Sequence, residues 1–104
     1  QLFGKWKATE QYNGYVNGGD FQWNTIIQGE SLEFKSNGDF IKIQAANTPC
    51  IGKFSWQQVS KSIELNVNCQ ANPIIQKYSE LNDNTLIIDL QGREGIIRLK
   101  YKRI

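Results

Sequence analysis

The sequence predicts an all-β protein, an eight-stranded antiparallel up-and-down barrel formed by residues 1–104 as one domain. Three observations predict it. Apolar and polar residues alternate at period two along most of the sequence, as strands with one buried face require. Turn-forming residues recur about every 8 to 12 positions, the spacing of an all-β sandwich or barrel. No segment carries the apolar spacing of a helix of ordinary length. A meander of about eight strands joined by short turns closes its first strand on its last, which removes both sheet edges. A length of 104 residues suits one domain with a thin core.

The first strand is read from "FGKWKATEQY", residues 3–12. Alternation puts Trp6, Ala8, Glu10 and Tyr12 on one face, expected to be inward, and Lys5, Lys7, Thr9 and Gln11 on the other. Then comes "NGYVNGGDFQWNTIIQG", residues 13–29, rich in Gly and Asn yet carrying Tyr15, Phe21, Trp23, Ile26 and Ile27. This reads as a long loop with one helical turn, folded back onto the body. Loops of this length tend to be functional, which singles out Trp23 as a lid, a ligand platform, a partner contact or a core cap.

"SLEFKSNGDFIKIQ", residues 31–44, reads as a hairpin. A two-residue type I′ turn at Asn37-Gly38 sets Phe34 opposite Ile41, Leu32 opposite Ile43, and Glu33 opposite Lys42 on the outer face. In "IGKFSWQQV" Gly52, Phe54 and Trp56 share a face, and in "SIELNVNC" Ile63, Leu65, Val67 and Cys69 do. A tight turn over residues 58–61 places Phe54 opposite Leu65 and Trp56 opposite Ile63. The same register places Cys50 opposite Cys69, with Cα atoms at a separation of ~4.5–5.5 Å that a disulfide accepts. Three further strands are expected at about 74–82, 85–90 and 96–103, with turns at 82–84 and 91–95. In the last, Ile97, Leu99, Tyr101 and Arg103 share the inward face.

Composition narrows the function classes. The net charge is +2 with scattered basic residues, which gives no case for nucleic acid. No apolar run approaches the ~18 residues of a membrane helix. Histidine is absent, removing the commonest general base and metal ligand. Nucleophilic catalysis lacks a base beside Ser or Cys, and glycoside chemistry lacks two facing carboxylates, since only Glu10 reads as inward. The phosphate-cradling G-x-x-x-x-G-K-[ST] is not found. The expectation is a protein that is not an enzyme, has no cofactor or metal, and is monomeric.

Cys50 and Cys69 read as a cross-strand disulfide, with a free thiol pair or a redox couple as alternatives; no C-x-x-C supports the last. A disulfide favours periplasm, cell surface or secretion. The candidate ligand-binding residues are the inward aromatics Tyr12, Phe34, Trp56, Tyr78 and Tyr101, with Trp23 on the loop and Glu10 as a polar anchor. Inward residues of small barrels usually fill the space themselves, so a packed core is the competing reading. For Glu10 the competing readings are a salt bridge to Arg98 or Arg103, or a bulge that turns it outward. Arg98, Lys100, Lys102 and Arg103 form one basic cluster, read as a solvated strand face or as a polyanion or acidic-lipid contact.

"GKW" at residues 4–6 resembles the G-x-W signature of the lipocalin superfamily, and "YKRI" closing the last strand is similar to the family's end. Over its whole length the protein resembles the short lipocalin-like domains of bacterial cell-envelope proteins. The shared features are an opening L-x-G-x-W, a mid-sequence F-x-x-x-G-x-F hairpin and a closing K-Y-x-R. The resemblance implies that Arg103 packs over Trp6, a cation–π contact worth ~0.5–2 kcal/mol, while Gly4 lets the backbone pass close beneath the barrel floor. It also implies a binding role for a small hydrophobic or amphiphilic molecule at an open barrel end. A lipid anchor upstream of Gln1 would fit. The long C-terminal helix of typical lipocalins is lacking, which argues against a large ligand cup. Two other readings use the exterior: a protein-interaction or protease-inhibitor barrel, and a carbohydrate ledge formed by Trp23, Phe21 and Tyr15.

Overall fold

The computed structural model describes residues 2–15, 23–44, 48–91 and 95–104. Its strands, in sequence order, are β1 (Gly4–Tyr15), β2 (Trp23–Thr25), β3 (Ser31–Phe34), β4 (Asp39–Ile43), β5 (Cys50–Gln57), β6 (Ser62–Val67), β7 (Ile74–Leu81), β8 (Thr85–Gln91) and β9 (Gly95–Arg103). All pairings are antiparallel, and β3 to β9 follow one another as neighbours. β1 pairs with both β3 and β9, so eight strands close an up-and-down barrel. The ninth, β2, lines up beside the second half of β1, where the sequence predicts only loop. Thus Tyr12 pairs with Trp23, and Glu10 with Thr25.

The seam between β1 and β9 holds one irregularity that matters for the whole molecule. Trp6 faces Arg103 and Ala8 faces Tyr101, but the register then slips, and Glu10 faces Lys100 while Tyr12 faces Arg98. Thr9 is the extra residue of a bulge. Its carbonyl accepts the Ile26 amide at 2.9 Å and its hydroxyl donates to the Lys100 carbonyl at 3.3 Å. Because side chains alternate, one inserted residue exchanges inside and outside beyond it. Gln11 therefore takes the inward face opposite Leu99. Glu10 and Tyr12, expected inside, lie on the outer face.

The β3–β4 hairpin also differs from expectation by one residue. Phe34 pairs with Phe40, Glu33 with Ile41 and Leu32 with Lys42. The Gly38 amide donates to the Lys35 carbonyl at 3.0 Å, and the Lys35 amide donates to the Asp39 carbonyl at 2.9 Å. Only Gly38 has positive φ in this loop, at 96°. This is a three-residue loop, in which a type I turn is followed by a left-handed glycine. Asn37 favours it by accepting the Asp39 amide at 3.0 Å through its Oδ1. The consequence is that Phe40 and Lys42 face inward, while Ile41 and Ile43 face outward.

The β5–β6 pair has the expected register, with Phe54 opposite Leu65 and Trp56 opposite Ile63. Cys50 and Cys69 form the disulfide, with Cα atoms 5.4 Å apart. The core comprises Leu2, Trp6, Ala8, Leu32, Phe34, Phe40, Ile63, Leu65, Tyr78, Leu86, Ile88 and Tyr101. A second slip, on β7 between Tyr78 and Glu80, keeps Leu81 opposite Leu86 with Ser79 as the extra residue.

One end of the barrel is sealed. Trp6 is fully buried, and its indole N–H donates to the Leu2 carbonyl at 2.8 Å. The Arg103 guanidinium lies 4.2 Å from the Trp6 ring centre. It also donates to the Phe3 carbonyl at 2.7 Å and to the Asp83 carbonyl. Gly4 has φ of 126°, and a Cβ there would come within 2.6 Å of Arg103 Nη1. Phe3 packs on Phe54 and Trp56, and Phe34 on Phe40 and Phe54, completing an aromatic plug.

Candidate functional site

Above the plug the barrel interior holds a partly enclosed chamber of about 50 Å³. Leu32, Phe34 and Phe40 form its deeper apolar wall with Ile63 and Ile88. Glu30, Lys42 and Gln76 line it nearer the strand ends that carry the connections 44–49 and 68–73. Tyr101 bridges the two zones, its ring in the core and its hydroxyl bonded to the Glu30 carboxylate.

Each polar group arrives by a local cause. Glu30 sits two residues before Leu32 on the same face, and its carbonyl accepts the Ala8 amide at 2.9 Å. Lys42 is brought inside by the three-residue hairpin loop. Gln76 lies between inward Ile74 and Tyr78 on β7, opposite Ile63. Lys42 Nζ lies 3.3 Å from Glu30 Oε2, with the two side chains 30% and 16% exposed. Burial pushes the Tyr101 phenol well above its usual value near 10, and the Glu30 charge and hydrogen bond reinforce the shift. The chamber thus sets the Glu30 carboxylate against the Lys42 ammonium and the Tyr101 O–H, so the two charges facing it are paired with each other. Gln76 presents both a donor and an acceptor to it.

A groove of about 320 Å³ adjoins the chamber, sharing Glu30 and Leu99 and adding Gln11, Gln28, Gln44 and Ile26. Ligand pockets for drug-sized molecules span roughly 300–1,000 Å³. The groove has that volume but is shallow; the chamber is more enclosed but takes only a few non-hydrogen atoms.

The sequence-predicted ligand residues are not assembled in one place. Phe34 and Tyr101 line the chamber. Trp56 and Tyr78 point inward but meet near the plugged end, where the Trp56 indole donates to the Tyr78 hydroxyl at 3.0 Å. They border a separate open depression with Gln58, Lys61 and Glu80. Glu10, Tyr12 and Trp23 belong to the outer face. There the Tyr12 and Trp23 rings meet at a tilt of 46° with centres 5.2 Å apart, Lys100 lies 4.2 Å over the Trp23 ring, and Arg98 lies 5.6 Å over Tyr12. Glu10 pairs with Lys100 at 3.6 Å, rather than with Arg98 or Arg103, and Arg98 pairs with Asp89 at 3.1 Å. Lys102 donates to the Thr85 hydroxyl at 3.0 Å. The basic cluster is therefore knitted into the strand face. Of the proposed carbohydrate ledge, Phe21 and the Tyr15 ring lie outside the described residues.

Sequence reasoning misses Glu30, Lys42 and Gln76. Gln76 is readable, since the alternation that puts Tyr78 inside puts Gln76 inside too. Lys42 depends on the turn length, and Glu30 on extending the β3 alternation back by one step.

No protein-family model matches this protein, and no curated protein matches it. Among solved structures, it is similar to an uncharacterised protein from Bacteroides eggerthii, with a TM-score of 0.67 and 13% identity over 100% of both proteins. It is also similar to a DUF4847 family protein from Bacteroides vulgatus, with a TM-score of 0.65 and 14% identity over 97% of this protein and 92% of the other. At such identities the likeness is one of fold.

Proposed function

We propose that this is a non-catalytic, lipocalin-like binding protein of the bacterial cell envelope that holds a small apolar or amphiphilic molecule at the end of the barrel opposite the plug. The observation that carries the reading is the chamber inside the barrel, with its apolar floor and polar rim. Its volume limits the inserted group to a few non-hydrogen atoms, so a sterol, a haem or a whole fatty-acyl tail does not fit inside it. The Cys50–Cys69 disulfide supports an oxidising compartment. Glu30, Lys42 and Tyr101 are each committed to a neighbour, an arrangement suited to recognition rather than turnover.

Methyl-detected NMR titration with small amphiphiles tests the reading. Saturable shifts at Leu32, Ile63, Ile88 and Leu90 are expected, because these residues line the chamber. An absence of saturable shifts there refutes it. A second reading, a protein-interaction or inhibitor barrel acting through its exterior, is favoured by one feature. Ile41 and Ile51 are direct cross-strand partners on the outer face, and Ile43 and Ile51 are 47% and 53% exposed. Shifts confined to these isoleucines on adding a partner protein would support that reading.

A further inference from the structure

The geometry points to a ligand that is electrically neutral: the group seated at the Glu30–Lys42–Gln76 rim is a hydroxyl or carboxamide on a short apolar stem, and carboxylates, phosphates and ammonium groups are rejected. This rests on the binding role proposed above and names its ligand class.

Charge sets the class. The Glu30 carboxylate and the Lys42 ammonium are 3.3 Å apart, so neither is free to neutralise an incoming ion. An anion reaching for Lys42 meets the Glu30 carboxylate at close range, and a cation reaching for Glu30 meets Lys42. In a partly desolvated chamber, like charges are weakly screened, and breaking the existing pair leaves one member uncompensated. A neutral hydroxyl or amide avoids both penalties. It can donate to an unused lone pair of Glu30 and accept from Lys42, whose ammonium carries three donors. Gln76, on the opposite wall, offers a donor and an acceptor as well. An ion gains little from such a group, whereas a hydroxyl or carboxamide matches it directly.

Size and polarity of the surroundings complete the class. The floor of Leu32, Phe34, Phe40, Ile63 and Ile88 asks for an apolar end. About 50 Å³ accommodates a short unbranched or singly branched stem and excludes a ring system. The adjoining groove is lined by Gln11, Gln28 and Gln44, again neutral amides, so anything extending outward from the rim meets uncharged polar groups.

The test uses four probes of one stem length at pH 8: propan-1-ol, propanamide, propanoate and propylammonium, titrated into the disulfide-intact protein by methyl NMR. Ligands of this size reach dissociation constants of about 1 mM. Propan-1-ol and propanamide are expected to saturate the Leu32, Ile63, Ile88 and Leu90 signals, with both ions about tenfold weaker. Glu30→Gln should bring propanoate level with propan-1-ol, raising its relative affinity by about tenfold, and Lys42→Met should do the same for propylammonium. The wild-type series decides the question even if a variant fails to fold. Equal or tighter binding of either ion to the wild-type chamber overturns the neutrality inference while leaving the binding role standing. If no probe saturates the chamber signals, the binding role fails and the inference falls with it.

Discussion

Removing the disulfide by Cys50→Ala with Cys69→Ala is expected to lower the melting temperature by about 15 °C without changing the barrel. The bond closes a loop with a sequence separation of 19. If the bond acts by loop closure, a loop of that length withholds about 11 cal/mol/K from the unfolded state, or about 3 kcal/mol near 25 °C. A protein of 104 residues has an unfolding entropy of about 0.22 kcal/mol/K, which converts 3 kcal/mol into about 15 °C. The native side should lose little. Phe54–Leu65 and Trp56–Ile63 already fix the register, and Lys42 opposite Cys50 keeps its pair with Glu30. Calorimetry on the oxidised protein and the double variant measures the shift, and urea titration adds a second readout. Because the uncrosslinked unfolded state exposes more surface, the urea slope m should rise. A melting-temperature loss under about 5 °C with an unchanged m would refute this reasoning, and would show that the bond's contribution does not come from loop closure.

Three other outcomes are expected. Gly4→Ala should cost about 2–4 kcal/mol, since it combines a φ of 126° with a Cβ 2.6 Å from Arg103 Nη1; chemical denaturation reads it, and Arg103→Ala should recover part of the loss in the double variant. Gly52→Ala should lower the free energy of unfolding in urea by at least about 2 kcal/mol, because the added Cβ would stand 1.8 Å from the Asn66 carbonyl oxygen, which is backbone and cannot swing away. Tyr101 gives the alkaline limit: its folded-state pKa is raised by burial first and Glu30 second, so the unfolded state ionises at lower pH than the folded one. The stability it contributes is complete below about pH 10 and is lost as pH rises through the folded value. Tyr101→Phe should flatten that alkaline decline in urea titrations run between pH 8 and 11, while lowering neutral-pH stability by about 1.5–3 kcal/mol through the lost bond to Glu30.

The barrel is legible in the sequence because strands β5, β6, β8 and β9 keep strict alternation between recognisable turns. Phe54, Trp56, Ile63 and Leu65 determine one register by themselves, and the cysteines follow from it. The Gly4–Trp6–Arg103 corner is legible because a glycine, a tryptophan and an arginine stand at matching positions of the first and last strands. The chamber is less legible. Asn37-Gly38 suits two loop lengths, and the difference of one residue decides whether Lys42 or Ile41 enters the interior. Asp39 tips the choice, through the bonds it makes with Asn37, and only the assembled turn shows them. Nothing in "KATEQY" marks Thr9 as extra, since the bulge is stabilised by Lys100 and Ile26 from distant segments. Alternation holds up to Ala8 and then misplaces Glu10 and Tyr12 by one face.

The slip at Thr9 has a consequence for comparing this protein with others. It acts as a phase change within β1: Trp6 and Ala8 before it take the interior face, and Gln11 after it takes that face in place of Glu10 and Tyr12. A relative lacking the bulge would place its interior residues out of step by one along the second half of β1, although its barrel were the same. Gap-free matching would then score core against surface and return little identity. A one-residue gap at Thr9, and another at Ser79, is where alignments of such barrels should be allowed to break.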